Sequence, residues 1–252
     1  MKYFWLEKSL LQQNMGYELF SVKHIISLLI LIVINIVLYS AFCRLEGKKQ
    51  DIFLKVCALT LPIVEVFKII VLIVQGVFDA QYFPLYLCSI GIFIFPVATF
   101  SKHKVISEYA AEAGLLMVIP GSVMALLFPN WIGFYQPFSF LSLYSYLWHG
   151  LIILIPLCMW KRGMAVIKAK CIIHAFVVLA ILLPIVLICD HIFHQNYWFL
   201  ERPDLNNPVL FVYENYGYTL YITSIMLLAL ILCSLSFVVF RLLQKRKAGK
   251  TR

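Results

Sequence analysis

Ile25-Ile26-Ser27-Leu28-Leu29-Ile30-Leu31-Ile32-Val33-Ile34-Asn35-Ile36-Val37-Leu38 decides the fold class. Only Ser27 and Asn35 are polar in it, and nothing is charged. A helix needs about 20 mostly apolar residues to cross the hydrocarbon core of a bilayer, and the run at 21–43 supplies them. It is too long, and begins too late, for a cleavable signal peptide. Outward from it the pattern recurs at 52–77, 82–100, 108–128, 140–160, 170–191 and 218–241. The expectation is an all-α membrane protein, a bundle of about seven transmembrane helices forming one domain over 21–241. Residues 1–20, where aromatic and aliphatic side chains alternate with polar ones, read as a short interfacial segment on the outer leaflet or equally as a frayed tail, and 242–252 as a basic cytoplasmic tail.

Composition agrees. Apolar residues make up 63% of the 252 and charged residues 13%, whereas a soluble domain is nearer half and a quarter. No stretch between the apolar runs is long enough for a separate water-soluble core. The formal charge of +9 does not point to nucleic acid, because the cations alternate between connections and no basic stripe is interleaved with aromatics. Arg44, Lys48 and Lys49 lie in the first connection, Lys102 and Lys104 in the third, and Lys161, Arg162, Lys168 and Lys170 in the fifth. Arg241, Lys245 and Arg246 begin the tail. Residues 78–81 and 129–139 carry no Lys or Arg, and the sixth connection carries only Arg202. The positive-inside rule then places the N-terminus outside and the C-terminus in the cytoplasm of a multi-pass cell-membrane protein. Lys2, Lys8 and Lys23 run against that pattern. Anionic lipid at the cytoplasmic face is the expected partner. Cys43, Cys57, Cys88, Cys158, Cys171, Cys189 and Cys233 show no paired spacing, so neither disulfides nor zinc are expected. No HExxH, P-loop or GxGxxG is present, and no cofactor is expected.

Ionisable groups inside spans are costly, so each needs a reason. Glu65 and Lys68, three apart on one helical face, read as a mutually neutralising pair, or as a carboxylate orienting a group in a wet cavity. The two readings are compatible. His149 lies near mid-bilayer in Leu147-Trp148-His149-Gly150-Leu151-Ile152, where an imidazole is either hydrogen-bonded packing or function. His24, His174 and His191 fall near span ends and read as interfacial. Cys88 sits in Phe83-Pro84-Leu85-Tyr86-Leu87-Cys88-Ser89, one to two turns into the third span, with Pro84 in the first helical turn. At a rise of about 1.5 Å per residue, Cys88, His149 and Glu65 lie roughly 9, 14 and 18 Å below the outer edge. A thiol near an imidazole is the minimum for nucleophilic catalysis, because the His can take the thiol proton.

Several short stretches, in order, carry a resemblance. Tyr17-Glu18-Leu19-Phe20-Ser21-Val22-Lys23-His24 is similar to an F-x-x-F-S-x-x-H opening, and Pro84-Leu85-Tyr86-Leu87-Cys88 to P-L-H-L-C. Ala125-Leu126-Leu127-Phe128-Pro129-Asn130 is similar to A-L-L-x-P-D, His149-Gly150 to H-G, and Asn196-Tyr197-Trp198-Phe199-Leu200-Glu201-Arg202-Pro203 to N-Y-x-x-L-x-x-P. Together they resemble the YwaF-like family of bacterial membrane proteins, related to transmembrane protein 164 of eukaryotes, a phospholipid acyltransferase working through an acylated cysteine. The resemblance implies Cys88 as nucleophile, His149 as its base, and His24, Glu65, Asn196 and Tyr197 as polar groups of the pocket. It also implies a bacterial cytoplasmic membrane. The sequence departs from the family at Tyr86, where His is usual, and at Ser89, where Asp is usual.

The leading expectation is therefore acyl transfer between a membrane phospholipid and a lipid acceptor through a thioester on Cys88. Tyr86, Asn196 and Tyr197 are the candidate donors to the oxyanion. The rival is a small-solute or proton-coupled transporter or channel using Glu65, Lys68 and His149, with Pro62, Pro96, Pro120 and Pro184 as helix breakers. A non-catalytic partner of an envelope assembly is the third reading.

Overall fold

Ser21 opens the bundle by accepting the His24 N–H on its hydroxyl at 3.4 Å, which satisfies one of the first-turn donors a helix leaves unpaired. Eight helices follow in the computed structural model, which describes residues 3–11, 16, 18–129, 134–203 and 209–250, with no strand among them. Lys2, Tyr17, Asn130 and Asn206-Asn207-Pro208 lie outside the described residues. The helices are α1 (Val22–Arg44), α2 (Lys48–Val74), α3 (Gly91–Phe100), α4 (Lys104–Ala113), α5 (Ile119–Leu127), α6 (Phe140–Arg162), α7 (Lys170–Phe193) and α8 (Leu210–Lys250). One π-helical turn, Gly114–Val118, joins α4 to α5. Pro120 follows that turn, and the wider winding accommodates a residue that cannot donate to the carbonyl four positions back. Pro62, Pro96 and Pro184 lie inside continuous helices. α8 is interrupted at Gly217, whose φ of 81° and ψ of −178° are non-helical.

Counting α4 through α5 as one span, six helices are long and apolar enough to cross a membrane, and Leu87–Phe100 is a shorter seventh. The chain is a multi-pass membrane protein. α6 is the most buried of the six spans and α8 the least. The Phe95 ring wedges between two glycines. A Cβ at Gly91 would come within 2.8 Å of Phe95 Cε2 and 2.9 Å of Ile152 Cγ2, and one at Gly114 within 2.7 Å of Phe95 Cε1. The missing side chains let α3 and the π turn close on α6.

The third span departs from expectation. Its helix does not start at 82; the chain is extended at Phe83 (φ −65°, ψ 145°) and at Tyr86 (φ −65°, ψ 155°), forms one 3-10 turn at Leu87–Ile90, and becomes α-helical at Gly91. Pro84 therefore belongs to a non-helical lead-in, at the centre of a tight turn closed by the Leu85 N–H on the Phe83 carbonyl at 2.8 Å, and not to a first helical turn. Proline drives the residue before it out of the helical region and supplies no N–H.

Above this break sits the N-terminal segment. The Phe140 N–H donates to the Phe4 carbonyl at 2.8 Å, and Phe4 and Leu11 pack with Leu72, Tyr82, Tyr135, Phe140 and Leu141 in a second small core. Glu7 is buried at its centre. Its carboxylate accepts from Ser9 N at 2.7 Å, from the Tyr135 hydroxyl at 3.3 Å, and from the Tyr82 hydroxyl. Burial alone would raise the Glu7 carboxyl, but the hydrogen bonds from Ser9 and Tyr82 and the Lys8 charge outweigh it and hold the group below its ordinary range. A depressed carboxylate adds stability that is fully present above its unfolded value of about 4.3 and is lost as pH falls through the native value. The cap is thus expected to stay docked from pH 7 to about pH 4 and to loosen below that. Hydrogen exchange at 3–11 reads this, and Glu7→Gln should flatten the pH dependence. Equal pH dependence in the variant would assign the effect elsewhere.

Candidate active site

Non-helical backbone at membrane depth is tolerated only where protein groups or a wet cavity satisfy it. Three side chains do so for the broken third span. Tyr197 donates its hydroxyl to the Ala80 carbonyl at 2.6 Å, Lys68 its Nζ to the Tyr82 carbonyl at 2.8 Å, and Trp198 its Nε1 to the Leu85 carbonyl at 2.9 Å. The Ser89 N–H returns to the Tyr86 carbonyl at 2.8 Å. Tyr197 is itself fixed, its backbone N–H donating to Asp190 Oδ1 at 2.8 Å. Together these contacts hold the extended stretch open and set Cys88 in the 3-10 turn that follows it.

Cys88 faces a cavity of about 840 Å³ that runs from the cap to the wall of α8. Tyr86, Lys68, Tyr144, Ser145, His149 and Asn196 share its lining, with Ile225, Leu228 and Leu232 as an apolar wall. Lys68 Nζ pairs with Glu65 Oε1 at 2.7 Å and lies 5.0 Å from the centre of the Tyr144 ring. The Tyr144 hydroxyl donates to the other Glu65 oxygen. Glu65 is 2% exposed and stands behind the lining, while its two partners form it. The pair expected at this spacing is present, and through Lys68 it also carries the broken backbone.

His149 reaches the same cavity from α6. Its Nδ1 lies 2.8 Å from the Ser145 carbonyl; a carbonyl only accepts, so Nδ1 carries the hydrogen. Nε2 is buried and makes no hydrogen bond. The Cys88 thiol and the imidazole thus share one cavity without a hydrogen bond between them, and the open nitrogen is the one that can take a proton. A family model for the TMEM164 family matches residues 19–237, a stretch holding Cys88, His149, Glu65, Lys68 and Trp198. The chain belongs to the TMEM164 family. No curated protein and no solved structure matches it.

Within this TMEM164-family bundle the other expected site residues take different places. His24 does not line the cavity. It is fully buried, its Nδ1 accepting the Phe20 N–H at 3.1 Å and its Nε2 2.9 Å from the Leu126 carbonyl, so it ties the start of α1 to the end of α5. Asn196 lines the cavity, but its amide bridges the loop after α7, donating to the Arg202 carbonyl at 2.7 Å and accepting the Glu201 N–H at 3.1 Å. Tyr197 is committed to Ala80. Tyr86 lines the cavity beside Tyr197, with ring centres 5.3 Å apart. His174 falls near a span end as its position implied, and it is also buried, with Nδ1 2.5 Å from Glu112 Oε2 and its ring stacked 3.8 Å from Tyr109. Sequence reasoning missed Tyr144, Trp198 and the Glu112–His174 pair. Trp198 could have been found as the residue after Asn196-Tyr197; Tyr144 is one tyrosine among fourteen and carried no signal.

Proposed function

We propose that the chain is a membrane-embedded acyltransferase in which Cys88 carries the acyl group and His149 moves the proton. The observation that supports this is the bare, buried Nε2 of His149, a residue that lines the same cavity as Cys88. The thiol proton passes to Nε2 and the sulfur attacks the carbonyl carbon of a phospholipid ester. The C–S bond forms, the C–O bond breaks, and the proton goes from the imidazolium to the departing alkoxide. A second lipid hydroxyl reverses the sequence. The apolar wall on α8 suits a fatty chain, as a mixed pocket with few polar groups suits an amphiphile.

A solute path through Glu65 fits less well, because Lys68 and Tyr144 enclose that carboxylate behind the cavity wall. Intact-mass spectrometry after incubation with a defined phospholipid tests the proposal. A fatty-acyl mass is expected that hydroxylamine removes, that Cys88→Ser lacks and that Cys158→Ser retains. Absence of the acyl mass from both folded wild type and folded Cys88→Ser would reject it.

A further inference from the structure

Lys8, one of the cations that run against the charge pattern, shares a cavity lining with Arg202, the single cation of the sixth connection. Lys8 belongs to the N-terminal cap and Arg202 to the connection after α7, nearly two hundred residues later, yet both line the mouth of the cavity that holds Cys88. Among the described residues neither side chain makes an ion pair or a hydrogen bond. Lys8 Nζ lies only over the Phe134 ring, 5.3 Å from its centre. Nearby carboxylates do not occupy them. Glu7 feels the Lys8 charge, but its oxygens are taken by Ser9, Tyr82 and Tyr135. Among the described residues Glu201 is the one acidic residue of the lining, and it forms no ion pair. Lys68, deeper in the same cavity, is matched by Glu65. Lys8 and Arg202 against the single carboxylate of Glu201 leave the mouth net positive while the far wall is apolar. An anionic head with a hydrocarbon tail complements that polarity.

We infer that Lys8 and Arg202 read the phosphate of a lipid whose headgroup is net anionic, and so select it over zwitterionic lipid at the mouth of the cavity. Phosphate between two cations gains charge-assisted hydrogen bonds that a headgroup with its own ammonium must share. Lys8 lies ahead of the stretch matched by the family model, so half of this selectivity comes from the chain's own cap. That the selected lipid is a reactant rests on the acyl-transfer reading; that it binds does not.

The test is protection of Cys88 from N-ethylmaleimide in micelles, followed by peptide mass spectrometry, with native mass spectrometry of the same samples counting retained lipid. Dioleoyl phosphatidylglycerol is expected to protect at about tenfold lower concentration than dioleoyl phosphatidylcholine, and Lys8→Gln/Arg202→Gln should make the two lipids equal. Both substitutions remove only side-chain charge at half-buried or exposed positions. Equal protection in wild type, or an unchanged preference in the double variant, overturns the inference. Protection by inorganic phosphate alone at the same concentration overturns the lipid as the source of the anion. Cys88→Ser should keep the phosphatidylglycerol preference in native spectra, so an absent thioester would reject the acyl-transfer reading and leave this result standing.

Discussion

Lys68→Met is expected to destabilise the protein by about 3 to 5 kcal/mol, the range for removing one partner of a buried ion pair. The variant leaves the Glu65 carboxylate with the Tyr144 hydroxyl but no counter-charge. It also strips the Tyr82 carbonyl of its donor at the point where the third span is not helical. The first effect can be relieved without the second. Glu65→Gln/Lys68→Met removes both charges and should recover most of the loss, since a neutral amide can still accept from Tyr144. The remainder measures what the Tyr82 contact contributes. Thermal unfolding in detergent reads all three proteins. If the single variant unfolds at the wild-type temperature, the pair does not hold this region together.

If Cys88 carries the acyl group as proposed, His149→Gln is expected to slow its acylation by roughly 10²- to 10⁴-fold, the usual contribution of one positioned general base. Glutamine keeps a polar side chain able to reach the Ser145 carbonyl, which now accepts from Nδ1 at 2.8 Å, so the helix should survive. What disappears is the acceptor at Nε2. The rate is followed as growth of the acyl mass on Cys88, with unfolding temperature as the control. A wild-type rate in a stably folded variant would remove His149 from the mechanism and leave the nucleophile without an assigned base.

The spans were legible because each is a long apolar run, and the caps at Ser21 and Ser139 lie where the apolar pattern begins. The Glu65–Lys68 pair was legible because a spacing of three fixes which side chains share a face. The break before Cys88 was not. Pro84 marks the place, but an isolated proline also suits a first helical turn. What decides for the extended path is the supply of donors from Tyr197 and Trp198, and no local pattern announces contacts at separations of 117 and 113 residues. His174 and Glu112, 62 residues apart, were hidden in the same way. Asn196 and Tyr197 were singled out by resemblance as pocket groups. In the structure Asn196 lines the cavity while its amide holds the loop, and Tyr197 stands behind the lining with its hydroxyl on the broken segment.

The long reach of those two donors bears on biogenesis. The ribosome delivers Lys68 before the segment it serves, but Tyr197 and Trp198 emerge only after α7 is complete. Until then the Leu85 carbonyl lacks the Trp198 donor and has to stay hydrated, because leaving it bare in hydrocarbon is too costly, while the Ala80 carbonyl has only the Phe83 N–H at 3.0 Å. The third segment therefore cannot settle at its final depth as it leaves the translocon. Maturation ends with the chain beyond α7 folding back over a segment made more than a hundred residues earlier, and the surroundings of Cys88 are assembled last.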